Sequence, residues 1–390
     1  MPGIVNRTSA SIPGFVNAHS HAFQRVIRGR TEQRSAASTD SFWTWREAMY
    51  RAANRLTPED VYAVSRMAFM EMLLAGITTV GEFYYLHHAP GGTPYDDPNL
   101  LAKEVIRAAK DVGIGIVLLR TAYERAGFRR QANPLQSRFV FRKVETFLEQ
   151  TEQLIKDTDV PVGIALHSVR ALRLESIIDI ARYARTKKLP VHMHVAEQPA
   201  EIEECLAEHG MRPIELLQEH GILGSDFTAV HAIHITEQEA GYLGAARSKV
   251  CACPTTERNL GDGPVPADLL LQAGAEICFG TDSNCQIDPL EDARCLEYHL
   301  RMAKLQRAVL PVDILFRGLT ETGAAALGIE SSASVNVDLS HPSLAGCEAS
   351  DLSAQLVFAA EKSAIQCTTE IPQKQEIIEA FRAVQRRLWQ

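Results

Sequence analysis

The chain has 390 residues, of which 46% are hydrophobic and 23% are charged, and its formal net charge at pH 7 is −8. This length suits one large domain with appendages or two ordinary domains, and the composition is typical of a globular protein. The acidic balance, without a dense basic tract, argues against a nucleic-acid binder. No apolar run approaches the ~20 residues that span a bilayer, and the N-terminus has no apolar signal core. We therefore expect a cytoplasmic protein that does not associate with membranes.

Short apolar runs alternate with amphipathic helical patterns along most of the chain. Most runs are rich in β-branched residues and bounded by Gly, Pro or polar residues, as buried parallel strands are. Eight such units predict an α/β protein with a (β/α)8 TIM-type barrel. A doubly wound open sheet is the alternative, but no G-x-G-x-x-G follows the first run. We predict strands at Ile12–Ala18, Ile77–Phe83, Ile114–Thr121, Val162–His167, Val191–Ala196, Phe227–Ala232, Lys249–Pro254 and Glu276–Gly280.

The helices between these strands have recognisable ends. Thr57 is a suitable N-cap, with Pro58 at the first helical position. The barrel is predicted to end near Leu327, and two or three short strands should follow it. We predict helices at Pro58–Ala75, Leu100–Val112, Val140–Lys156, Leu174–Lys187, Ile202–His220 and Lys374–Leu388.

Two histidines, His19 and His21, follow the first predicted strand and flank one serine. Side chains two residues apart on a strand point the same way, so both imidazoles would converge on one point. That arrangement suits two nitrogen ligands of one metal ion. A pair of surface histidines in a loop is the alternative.

Polar residues at other strand ends favour the metal interpretation. The fourth strand ends in His167, the fifth in His194 with Glu197 three residues later, the sixth in His231 and the eighth in Asp282. In a barrel these ends meet at one mouth, where active sites are built. Three imidazoles and a carboxylate suit Zn²⁺, and a bound Zn²⁺ lowers the pKa of its water. Glu197 could take the proton of that water and return it to a leaving group. The predicted ligands are His19, His21, His194 and Asp282.

This set of strand-end residues resembles that of the amidohydrolase superfamily. Two-metal members usually have a lysine at the end of strand four, whereas this chain reads "GIALHSVRAL" there. The resemblance therefore implies one zinc ion per chain. The stretches "HMHVAEQ", "LHSVRAL" and "SFWTWREAMY" are similar to those of the formimidoylglutamate deiminases, and the resemblance covers Pro13 to Leu327. It implies hydrolysis of a small molecule, N-formimino-L-glutamate, to N-formyl-L-glutamate and ammonia in histidine degradation. Homodimers are common among such barrels, and we expect one here.

The resemblance also implies roles for individual residues. Glu197 matches the acid–base residue, His231 matches the histidine that orients hydroxide and stabilises the oxyanion, and Asp282 counts as catalytic as well as a ligand. The two substrate carboxylates need cationic, preferably bidentate partners. Arg46 could instead be a helix-surface charge, and Arg170 could pair with a barrel carboxylate. The expected substrate-binding residues are Gln24, Arg46, Tyr84, His167 and Arg170.

The ends of the chain depart from the pattern of this family. Its members usually have a small β-sandwich built from N-terminal and C-terminal segments, and we expect here a reduced or truncated one. We predict a barrel domain at 12–327, and a remnant of the small β domain with the C-terminal helix at 328–390. Two other functions stay open: a deaminase acting on a cyclic amidine or aminopurine, and an inactive truncated paralogue. The arginines argue against a neutral, flat substrate.

Overall fold

The computed structural model describes residues 3–6, 8–32, 41–330, 333–367 and 369–390. Its strands are β1 (Gly3–Asn6), β2 (Ser9–Pro13), β3 (Phe15–Ser20), β4 (Ile77–Tyr84), β5 (Gly115–Ala122), β6 (Arg125–Gly127), β7 (Arg130–Gln131), β8 (Val162–Ser168), β9 (Val191–Val195), β10 (Phe227–His231), β11 (Lys249–Ala252), β12 (Glu276–Phe279), β13 (Ser334–Asp338) and β14 (Ile365–Gln366).

The helices lie mostly between the barrel strands. They are α1 (Phe42–Ala53), α2 (Pro58–Leu74), α3 (Leu100–Val112), α4 (Val144–Asp157), α5 (Leu174–Lys187), α6 (Pro199–His209), α7 (Pro213–Glu219), α8 (Glu237–Ala245), α9 (Pro254–Leu260), α10 (Ala267–Gln272), α11 (Pro289–Lys304), α12 (Val312–Gly318), α13 (Glu321–Ala326), α14 (Leu352–Phe358) and α15 (Lys374–Trp389). Across the described ranges, none of them combines the length and apolar character needed to cross a membrane.

Eight parallel strands form the main sheet, in the order β3-β4-β5-β8-β9-β10-β11-β12. The first and last strands meet at their C-terminal ends, where Asp282 N donates to His19 O at 3.0 Å and His21 N donates to Asp282 O at 2.9 Å. These bonds close the sheet at the mouth, and the predicted (β/α)8 barrel is confirmed.

Two of the predicted elements are each divided into two in the structure. The run Ile12–Ala18 is divided at Gly14, because β2 pairs with β13 outside the barrel whereas β3 pairs with β4. Gly14 lies so close to the barrel that an added Cβ would be 2.2 Å from Thr78 Oγ1. The predicted helix Ile202–His220 is two helices, because Gly210 ends α6 with a φ of 70° and Pro213 begins α7.

A second, antiparallel sheet joins the two ends of the chain in the order β1-β2-β13-β14. In the described ranges it is a single sheet rather than two packed ones. The division of the chain after Leu327 stays a prediction, and residues 331, 332 and 368 of the second segment lie outside the described ranges.

The helix α15 covers the segment that follows His21. Glu71 of α2 accepts hydrogen bonds from Arg25 Nε at 2.7 Å and from Arg28 Nη2 at 2.7 Å. The Arg25 guanidinium also lies 4.8 Å from the ring centroid of Phe381 in α15. The chain after the first pair of predicted ligands is thus fixed by ion pairs and by the C-terminal helix.

Candidate metal centre and active site

The four predicted ligand side chains converge at the mouth of the barrel. His19 and His21 come from the end of β3, His194 from β9, and Asp282 follows β12. His194 Nε2 lies 3.1 Å from His19 Nε2 and 3.3 Å from His21 Nε2, and Asp282 Oδ1 lies 3.2 Å and 3.1 Å from the same two nitrogens. One ligand atom from each residue lies within 4.8 Å of all the others. This is a cluster suited to one metal ion.

The outer ring nitrogens explain how two of the imidazoles are aimed. His21 Nδ1 lies 2.8 Å from Phe83 O, and His194 Nδ1 lies 3.0 Å from His167 O. Since a carbonyl only accepts, each Nδ1 carries the proton and each Nε2 presents a lone pair to the centre. Burial lowers the pKa of His19 to about 3, which favours the neutral ring that a metal requires. The donor set therefore fits Zn²⁺ or a similar borderline metal.

Glu197 and His231 lie beside the ligand cluster. Glu197 Oε1 is 3.7 Å from His231 Nε2, and that nitrogen is 3.9 Å from Asp282 Oδ2. His231 Nδ1 is 3.2 Å from Glu257 Oε1, a contact that fixes the ring. Burial alone would lower the pKa of His231, but the carboxylates of Glu197, Glu257 and Asp282 outweigh it and raise this pKa to about 10. His231 is therefore held as a proton-bearing group that faces the cluster.

Arg170 makes two ion pairs with carboxylates of the same site. Its Nη2 donates to Glu197 Oε2 at 2.7 Å, and its Nε lies 3.1 Å from Glu201 Oε2. All three side chains are buried. The pairing with barrel carboxylates, one of the two expectations for Arg170, is present. Arg170 also lines a cavity beside the ligand cluster.

This cavity lies directly above the ligand cluster, and four of the five expected substrate-binding residues line it. They are Gln24, Arg46, His167 and Arg170. The fifth, Tyr84, lies outside it. Successive residues of a strand face opposite sides, and Phe83 and Tyr85 face the site while Tyr84 faces away. Tyr85 takes the predicted place, and its hydroxyl accepts a hydrogen bond from Gln24 Nε2 at 2.9 Å.

Sequence reasoning missed several residues of the site. Tyr50 and Tyr123 line the cavity, with their hydroxyls 3.0 Å apart. Glu201 and Glu257 hold Arg170 and His231. The strand alternation from Phe83 could have identified Tyr85, whereas the other contacts join segments far apart in sequence and carry no local signal.

Comparison with known proteins agrees with this geometry. The family model described as "Amidohydrolase family" matches residues 11–336. A formimidoylglutamate deiminase of Pseudomonas aeruginosa is 38% identical over 330 residues, which cover 82% of this chain and 72% of that protein. A 5-methylthioadenosine/S-adenosylhomocysteine deaminase of Thermodesulfovibrio yellowstonii is 26% identical, with 85% and 70% covered.

The crystal structure of an amidohydrolase from Brucella melitensis superposes with a TM-score of 0.90 at 33% identity, covering 97% of this chain and 90% of that one. These similarities extend over the barrel and the cluster of His and Asp side chains. The chain therefore belongs to the amidohydrolase family and is a hydrolase that acts on carbon–nitrogen bonds.

Proposed function

We propose that this enzyme is a zinc-dependent deiminase that hydrolyses N-formimino-L-glutamate to N-formyl-L-glutamate and ammonia, a reaction of histidine degradation. The observation that carries the proposal is the pair of arginines, Arg46 and Arg170, in the wall of a cavity above a cluster of three histidines and an aspartate. A substrate with two carboxylates and one formamidine needs cations at one end and an electrophile-activating centre at the other. The 38% identity to a formimidoylglutamate deiminase supports the same substrate.

The zinc ion would be held by His19, His21, His194 and Asp282, and one ion per chain is expected. When bound, it would supply Lewis acidity and lower the pKa of water. The end of β8, with the sequence VGIALHS, offers no lysine that could bridge a second ion.

Glu197 is proposed to move the protons of the reaction. Water adds to the formamidine carbon, the C–N bond to the terminal nitrogen breaks, and that nitrogen leaves as ammonia while the carbon becomes a formyl group. Glu197 would accept a proton from the water and deliver it to the departing nitrogen. His231 lies between Glu197 and Asp282, and its proton would stabilise negative charge on the added oxygen.

The substrate carboxylates are proposed to bind at the arginine side of the cavity. Arg46 Nε has no hydrogen-bond partner within the described parts of the chain, and its guanidinium lies 4.5 Å from the ring centroid of Trp43. A group held flat on an aromatic ring keeps its donors free for a carboxylate. Further polar groups are supplied by Arg170, Gln24, His167 and Tyr85. The cytoplasmic location and the homodimer remain predictions.

The proposal is tested by measuring ammonia release from a panel of substrates, with and without a metal chelator. The panel contains N-formimino-L-glutamate, a formamidine without carboxylates, a cyclic amidine and an aminopurine nucleoside. We expect turnover of the first compound to exceed that of the others and to be lost on chelation and regained with Zn²⁺. Preferential turnover of the nucleoside would instead favour an aminopurine deaminase, and no turnover by metal-loaded protein would favour the inactive paralogue.

A further inference from the structure

A second cavity, of about 480 Å³, lies between the barrel and α4, and its lining has no residue in common with that of the catalytic cavity. We call it the outer cavity. It is lined partly by the segment that follows β4 and by the segment between β5 and α4. The lining includes the cations Arg120, Arg142 and Lys143, whereas none of its described residues is an aspartate or glutamate. The outer cavity is therefore strongly positive.

Arg120 of β5 is the buried cation of the outer cavity. Only 2% of its surface is exposed. Its hydrogen-bond acceptors are neutral: Asn99 Oδ1 at 3.1 Å, Gln150 Oε1 at 2.8 Å, Thr151 Oγ1 at 3.4 Å and a backbone carbonyl at 3.3 Å. The carboxylate of Asp97, two residues before Asn99, is already paired with Lys103 at 2.7 Å. Burial lowers the pKa of Arg120 to about 9, with no carboxylate charge to offset it. A buried charge usually has a partner of opposite sign, and the outer cavity gives Arg120 access to an anion from outside the chain.

Backbone donors lie beside the same space, at the start of α4. Lys143 is the N-cap of α4, and its side chain makes no capping hydrogen bond to this helix. The first backbone N–H groups of a helix have no partner within it and favour an anion. Arg142 and Lys143 are exposed at the rim, where they can meet an incoming ligand.

We propose that the outer cavity binds a small oxyanion that carries two negative charges, a phosphate or a dicarboxylate. Arg120 would contact it from below through its planar guanidinium, and Arg142 with Lys143 would close over it from the rim. The volume lies within the usual range of small-molecule sites. Binding there would leave the buried guanidinium neutralised.

The test is calorimetric titration of the whole metal-loaded protein with inorganic phosphate and with glutarate, using sodium chloride at matched ionic strength as the blank. The cavity variant carries Arg142→Gln and Lys143→Gln. The control variant carries Arg307→Gln and Lys374→Gln, which remove the same charge from exposed positions outside the cavity. Beyond any glutarate that the catalytic cavity takes up, we expect one anion per chain for the unmodified protein and the control variant. Binding of this anion should be at least about tenfold weaker for the cavity variant.

Each outcome decides the proposal. Equal affinity in the unmodified protein and the cavity variant would overturn it, because the anion would then bind elsewhere, for example at the metal. Saturable binding of neither anion would also overturn it. Binding of phosphate alone would identify a tetrahedral oxyanion as the ligand, and binding of glutarate alone a dicarboxylate. An Arg120→Gln protein that folds should not bind the anion. If this variant does not fold, the cavity variant alone tests the proposal.

Discussion

Replacing Glu197 with Gln would remove the proposed proton carrier while leaving the shape of the site almost unchanged. Glu197 is 5% exposed, and its Oε2 accepts from Arg170 Nη2 at 2.7 Å. Glutamine has the same length, and its carbonyl oxygen can still accept that hydrogen bond. The substitution therefore perturbs proton transfer more than packing.

The expected loss of kcat follows from the contribution of general acid–base catalysis. This contribution is about 10²–10⁴-fold, or ~2.7–5.5 kcal/mol of transition-state stabilisation. We expect Glu197→Gln to lower kcat by this factor on every substrate that the enzyme accepts. The metal content should not change, because Glu197 is not among the four ligand side chains. The free energy of unfolding should change by only ~1 kcal/mol, since Arg170 keeps Glu201 as a counter-charge.

Glu201→Gln is the matched control, because Glu201 pairs with the same arginine but does not line the cavity. Its Oε1 accepts from Ala196 N at 2.8 Å, so its role is to hold the chain after β9. We expect this variant to lose ~1–3 kcal/mol of stability and to keep most of its kcat. The measurements are steady-state ammonia release, metal analysis and denaturant unfolding. A Glu197→Gln enzyme with nearly full kcat, or equal losses of kcat in the two variants, would refute the assignment of proton transfer to Glu197.

Further predictions concern substrate binding, metal content and stability. Arg170→Met should lower kcat/KM by about 10–100-fold on N-formimino-L-glutamate. The loss should be smaller on an analogue that lacks the bound carboxylate, and equal losses would argue for a purely structural arginine. Tyr85→Phe should raise KM, whereas Tyr84→Phe should not, because only Tyr85 lines the cavity; comparison of the two KM values checks the register of β4. Metal analysis should give one ion per chain, and a value near two would contradict the ligand set. Burial favours protonation of Glu71, but its two arginine partners outweigh it and lower its pKa. Glu71→Gln should therefore destabilise the protein at neutral pH, and its difference from the unmodified protein should shrink as pH falls through that lowered pKa, as acid unfolding curves would show.

The barrel could be predicted from the sequence because its signals are local. A buried parallel strand is a short apolar run, and the strand ends carry the polar residues that meet at the mouth. The convergence of His19, His21, His194 and Asp282 could therefore be predicted from their positions at strand ends and from the family resemblance. The break at Gly14 was missed because Ile12–Ala18 is apolar throughout, and periodicity does not show which sheet each half joins.

The interactions that tune the site could not be predicted in the same way. Arg170 was expected over the mouth of the barrel. Its partners lie about 30 residues later in the chain, Glu197 just before α6 and Glu201 on it. Sequence spacing does not show that these side chains point toward Arg170. Tyr84 and Tyr85 differ only in the face of β4 to which they point. A shift of one residue moves a side chain to the opposite side of a sheet. Metal ligands are easier to predict than substrate-binding residues, because the ligand atoms must all converge on one point.

Three of the four predicted metal ligands, His19, His21 and Asp282, also lie at the ends of the two strands at which the barrel closes. β3 and β12 are the first and last strands of the sheet, and Asp282 joins them through its backbone N–H and carbonyl as well as through its carboxylate. Asn17 adds a further link, since its Oδ1 accepts from Thr281 N at 3.0 Å. A metal held by His19, His21 and Asp282 would therefore cross-link the two ends of the sheet. Because metal binding stabilises the folded state alone, the ion that serves the chemistry would also stabilise the closed barrel.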